Sequence, residues 1–224
     1  MHVDQLTDFA WTFDVVHPDP DRRRAAIERE RGYQQEWARH HAWVRMVRQR
    51  TAEGGGGYPM RLLAEYDQVH AAMRDAYGRM FAAPIWHYLS GGVALEELAP
   101  FTRHAVLYLR WETEYPDEWA ALGKSWAAKR HVLRTLAALG PTPETHGDLL
   151  GLVDAALRRE HRCEDLGYVK VARVLHEPSV RMIVDWAEED LDGLVRLRAG
   201  YLRSALDHPA APVTPASWRA WLRG

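Results

Sequence analysis

Apolar residues recur along most of this chain at three- and four-residue spacing, and no stretch of useful length alternates with the two-residue period of a strand. The pattern predicts an all-α fold, a single-domain helical bundle of five to seven helices. One helical run covers Asp21–Arg50 and carries Tyr33, Trp37, His40, Val44 and Val47 on one stripe. A second covers Pro59–Leu89, with Leu63, Tyr66, His70, Met73, Tyr77 and Phe81 on its stripe. Four consecutive glycines, Gly54–Gly57, interrupt the helical pattern between them. Folding back about residue 54 or 55 sets His40 beside residue 69 or 70, so two imidazoles are expected to face each other inside the hairpin.

The rest of the chain divides at prolines and glycines. Pro18 and Pro20 make residues 1–20 an irregular lead-in, with Asp19 or Asp21 as the cap of the first helix. The second helix is expected to bend near Gly78 or Pro84 and to end at Ser90-Gly91-Gly92. A third helix opens near Leu95 and breaks at Pro116, with Asp117 restarting the chain as far as Leu139. Gly140-Pro141-Thr142-Pro143 is a loop. A fourth helix then begins within Thr145–Asp148 and follows Leu150, Val153, Leu157, His161, Glu164 and Tyr168 to Leu175. Pro178 separates it from a last helix through Ile183, Ala187, Leu191, Leu194 and Leu202. Residues 21–206 therefore read as the bundle, and 207–224, rich in Pro and Ala, as a surface tail with Trp218 and Trp221 as its expected anchors.

Several titratable residues sit on these apolar stripes, where a carboxylate or imidazole is costly unless paired or bound to metal. Glu36 precedes His40 by one turn, and Asp67 precedes His70 by three residues. A turn about residue 92 brings Glu112 within about one helical turn of His70. His161 and Glu164 reach the same level only if the third helix breaks near Pro116. Helical bundles build dimetal centres from inward-facing residues of this kind, and imidazole with carboxylate suits iron. Glu36, His40, His70, Glu112, His161 and Glu164 are thus six candidate ligands for two irons per chain. Trp37, Tyr66 and Tyr108 are expected to line the adjoining substrate pocket. The competing structural expectation is that the same residues form a hydrogen-bonded core, with Glu112 paired to an arginine.

Composition narrows the function classes. The formal net charge is −2 over 224 residues, which gives no electrostatic reason to expect a nucleic acid or an anionic membrane as partner. The single cysteine, Cys163, excludes an internal disulfide framework. No leader-like segment and no apolar run of membrane-spanning length is present, so the expected setting is the cytoplasm. Ten Trp, nine Tyr and twelve His stand against four Phe, which makes the predicted core rich in polar-tipped rings. The expected partners are a small-molecule substrate and, at most, a second copy of the chain.

One segment, Trp86-His87-Tyr88-Leu89-Ser90-Gly91-Gly92 followed by Leu95-Glu96-Glu97-Leu98 and Phe101, resembles the entry to the first ligand-bearing helix of haem-oxygenase-like proteins. The spacing of Glu97 and His104 is similar to a ligand pair of that group. With the stripe residues above, the chain resembles the ferritin-like and haem-oxygenase-like dimetal oxidases. That resemblance implies a non-haem dimetal, di-iron oxidase or oxygenase acting on a small molecule. Glu-x-x-His is absent, and Asp67-x-x-His70 is the related helical motif. Two alternatives stand beside it. His41 followed by Gly54–Gly57 is similar to the proximal histidine and glycine loop of tryptophan-dioxygenase-type haem proteins, which implies haem as cofactor. The other is a non-catalytic helical module with an aromatic-lined pocket for a small ligand.

Overall fold

A computed structural model describes residues 3–53, 60–90, 94–122 and 125–224, and every regular element in them is helical. The all-α expectation holds, but there are twelve α-helices among the described residues instead of five to seven. The chain divides into two compact units, residues 1–86 and 87–224, where one bundle was expected. The glycine run 54–57, Gly91-Gly92 and Lys124 lie outside the described residues.

In the first unit, a 3-10 helix (Val3–Val16) occupies the stretch read as an irregular lead-in. It packs along the long helix α1 (Pro20–Glu53). Asp19 starts α1: its Oδ1 accepts the Asp21 N–H at 2.9 Å, and Pro20 fills the first helical position, where no N–H is needed. Helix α1 packs against α2 (Met60–Arg79). The next helix, α3 (Ala82–Ser90), carries Pro84 in its first turn, so the bend expected near Gly78 or Pro84 is a break at residues 80–81. Glu30, fully buried on α1, fills that break, accepting the Phe81 N–H at 2.7 Å.

The hairpin register differs from the one expected. Glu36 meets Arg79 at 2.8 Å, and Arg48 donates to the Tyr66 hydroxyl at 3.0 Å. These contacts set His40 level with residues near Arg74 and His70 level with residues near Val44. The two imidazoles are thus offset by about one turn. The reason is that α1 continues through Glu53 instead of ending at Arg50, which moves the reversal later along the chain.

The second unit is built around α5 (Thr102–Glu114), reached through α4 (Leu95–Leu98) and a 3-10 turn. From His104 to Leu109 α5 has no exposed residue, because neighbours cover it on all sides. Pro116 ends it as expected, and α6 (Pro116–Ala121) and α7 (Trp126–Leu139) follow. The fourth predicted helix is in fact two, α8 (His146–Arg158) and α9 (Leu166–Ala172), broken by a turn at 159–165. The last predicted helix is likewise α10 (Glu177–Glu188) and α11 (Gly193–Asp207). Leu191, expected on its apolar stripe, lies in the joint between them at 98% exposure. The tail residues form α12 (Pro215–Trp221), started by a reciprocal cap between Thr214 and Ser217.

Candidate functional site

Lys129 lies on the buried face of α7 with Val132, Leu133 and Leu136, one turn or two from each. Its ammonium reaches across to the α8–α9 turn. Lys129 Nζ donates to Asp165 Oδ1 at 2.8 Å and stands 3.2 Å from Glu112 Oε2. The Lys129 and Glu112 side chains are both fully buried. Arg159 grips Asp165 with two nitrogens at 2.8 and 2.9 Å. Arg162 donates from Nη1 to the Glu112 carbonyl at 2.5 Å and to its carboxylate at 3.1 Å. Asp165 also accepts the Arg162 backbone N–H at 2.7 Å, which closes the turn on itself. Three cations therefore surround two carboxylates. Burial opposes ionisation of Asp165, but Lys129 and Arg159 outweigh it and hold the carboxyl below the usual aspartate range. Burial and the neighbouring Glu112 charge push the Tyr168 phenol up.

Glycine makes this approach of α9 to α7 feasible. A Cβ built on Gly167 would stand 2.7 Å from Leu133 Cδ1, inside contact distance. The preceding turn carries its own strain. Glu164 has φ of 68°, a left-handed conformation that costs a side chain about 1 kcal/mol. Its carboxylate accepts a 2.7 Å bond from Arg130, which holds it below the usual carboxylate range.

Behind that turn is a cavity of about 690 Å3, within the range that holds small organic ligands. Helices α8 and α11 supply apolar walls through Val153, Leu157, Leu194 and Leu197. Tyr168, Tyr201 and Trp218 add aromatic faces. Trp218 belongs to α12, which contains no buried residue and is held chiefly by its rings and one side-chain bond. The Trp218 ring meets Tyr201 edge-on at 4.8 Å, and the Tyr201 and Ser217 hydroxyls are 3.0 Å apart. Leu194 and Leu197 remain 58% and 37% exposed, an apolar area that a bound molecule would cover.

The residues singled out as metal ligands are distributed across both units. Glu36, His40 and His70 belong to the first, and Glu112, His161 and Glu164 to the second. Glu36 is taken by Arg79, and His70 stacks on Tyr66 at 5.7 Å between ring centres. Glu112 sits among Lys129, Arg159 and Arg162, where the structural expectation paired it with Arg74, Arg103 or Arg110. A carboxylate already neutralised by three cations is a poor partner for a further dication. His161 and Glu164 do share a place, since both line the cavity, with His161 Nδ1 3.8 Å from Asp165 Oδ2. Among the described residues no group of three or more His, Cys, Asp or Glu side chains is arranged to hold a metal ion. Of the expected pocket residues, Trp37 stacks on His41 and Tyr66 accepts from Arg48. Tyr108 is buried with its hydroxyl on the Ser125 carbonyl at 3.2 Å. Glu97 is exposed and His104 buried, so the pair singled out by spacing has two different environments.

Lys129 was missed at the level of sequence, although a signal existed: it stands on the apolar stripe of α7. Trp218 was legible as an anchor of the tail, which its contact with Tyr201 bears on, but not as part of a cavity wall. No protein-family model, curated protein or solved structure matches this chain. No helix among the described residues is long and apolar enough to cross a membrane.

Proposed function

We propose that the C-terminal unit is a small-molecule receptor, binding an apolar organic ligand in the cavity between α8, α9, α11 and α12. The observation that carries this is the cavity itself: about 690 Å3, with aliphatic walls, three aromatic faces and partly exposed leucines at its edge. Asp165 belongs to the cavity lining, and the ion cluster it forms with Lys129 and Glu112 holds α7, α5 and the α8–α9 turn together beside it. Small-ligand binding is the alternative that the sequence left beside the dimetal oxidase. The cations around Glu112 favour it over a centre built on that carboxylate.

The test uses N-phenylnaphthylamine, a neutral fluorescent probe that brightens in apolar sites. One probe per chain is the expected stoichiometry, with quenching of tryptophan emission because Trp218 lines the cavity. Trp218→Ala should weaken binding about tenfold or more, the loss of a large aromatic contact. A protein that binds no probe while giving a native far-UV signal overturns the proposal. Iron analysis after anaerobic Fe(II) loading runs alongside. Two irons per chain with no Soret band returns the assignment to a dimetal oxidase.

A further inference from the structure

The charges around the cavity are unequal, and their existing partners show which remain available. Glu164 and Asp165 are its two lining carboxylates, and both are already neutralised, by Arg130 and by Lys129 with Arg159. Among its cations, Arg198 is committed to the carbonyls of Leu157 and Arg159 at 3.0 and 2.6 Å. Arg134 lies against the His131 ring at 3.1 Å.

Two cations are different. The Lys170 ammonium has no hydrogen bond or ion pair among the described residues, and it acts on Glu164 only through Coulombic attraction. Arg219 uses Nε on the Pro215 carbonyl at 3.1 Å, and among the described residues nothing takes its terminal nitrogens. Both side chains are exposed and both line the cavity, so they sit where its apolar interior meets water. The lining is thus apolar and aromatic within, and cationic with uncommitted donors at the mouth. That polarity is complementary to a molecule with an apolar body and an anionic end.

Resting on the receptor assignment above, we infer that the ligand is an amphipathic carboxylate. Its alkyl or aryl body occupies the cavity, and its carboxylate accepts hydrogen bonds from Lys170 and Arg219. Arg219 offers the geometry for a two-point contact through its terminal nitrogens, and Lys170 adds a point charge. Arg219 also belongs to α12, so a carboxylate bound to it ties that helix to α9. The neutral alcohol of the same chain fills the same space without engaging either cation.

The experiment displaces bound N-phenylnaphthylamine from the whole protein with decanoate and, separately, with decanol. Decanoate should displace at a concentration about tenfold lower than decanol, the discrimination of one charge-assisted contact at a wet rim. Raising the salt should narrow that difference by weakening decanoate alone. Lys170→Gln with Arg219→Gln should erase the difference while the far-UV circular dichroism signal stays native, so loss of fold is not the cause. Equal displacement by acid and alcohol in the wild type overturns the inference and leaves the receptor standing. So does a preference that survives in the double variant. A wild type that binds no probe removes the receptor itself.

Discussion

Lys129 Nζ lies 2.8 Å from Asp165 Oδ1, with the lysine side chain fully buried and the aspartate 4% exposed. The two residues are 36 positions apart, on α7 and in the turn before α9. Their contact, with Glu112 3.2 Å from the same ammonium, joins three helical segments at one point. Buried ion pairs of this kind cost much of their attraction in desolvation, but losing one partner leaves a charge with no water to receive it.

Asp165→Ala should therefore destabilise the second unit by about 3 to 5 kcal/mol. It strands Lys129 and Arg159 beside the single remaining carboxylate of Glu112. Arg130→Ala is the matched control, since its ion pair with Glu164 is solvent-facing at 67% exposure of the arginine side chain. Its loss should leave stability close to that of the wild type, because water and salt screen an exposed pair. Urea unfolding followed by far-UV circular dichroism checks both, and equal effects would mean that the buried cluster has no special weight.

His104 should make stability depend on pH. Burial first, and the Arg103 charge second, lower its pKa from 6.5 to about 4. The folded-state value lies below the unfolded one, so the unfolded chain binds the proton more tightly. The stabilising contribution of neutral His104 is whole above about pH 6.5 and is lost as pH falls from there towards 4. Asp165, also depressed, adds a second loss below its ordinary value of 3.8. Unfolding free energy measured from pH 7 to pH 4 should fall for the wild type and fall less for His104→Gln. Parallel slopes for the two proteins would remove His104 from the account.

Gly167→Ala should cost about 1 to 3 kcal/mol by overpacking. The new Cβ meets Leu133 at 2.7 Å and cannot be relieved by turning a flexible tip, since Leu133 Cβ is itself within 2.9 Å. Leu133→Ala in the same chain should recover part of the loss, beyond what two independent substitutions give. Thermal unfolding of the two single variants and the double variant measures that coupling.

Much of the helical framework was legible without coordinates. The period of apolar residues named α1, α2 and α5, and Pro116, Pro178 and the 140–143 loop marked breaks that the structure contains. The breaks at 159–165 and 189–192 were not legible. No proline marks either, and the stripe runs on through them in sequence while the backbone turns away. Glu164 adopts its positive φ despite having a side chain, so local propensity gave no warning there.

Sequence alone determined the class of structure: amphipathic helices, because a helix shows its buried face as a short-range period. It also marked which polar residues sit on apolar faces, among them Glu112. Only the tertiary structure decided their partners, because partners come from residues far apart whose levels depend on helix length and register. One extra turn at the end of α1 shifts His40 from His70 by about a helical turn. The approach of α9 to α7, allowed by Gly167, sets Lys129 on Asp165, and the fold of α12 against Tyr201 brings Trp218 to the cavity wall. Each depends on the relative placement of packed elements, which no local pattern encodes.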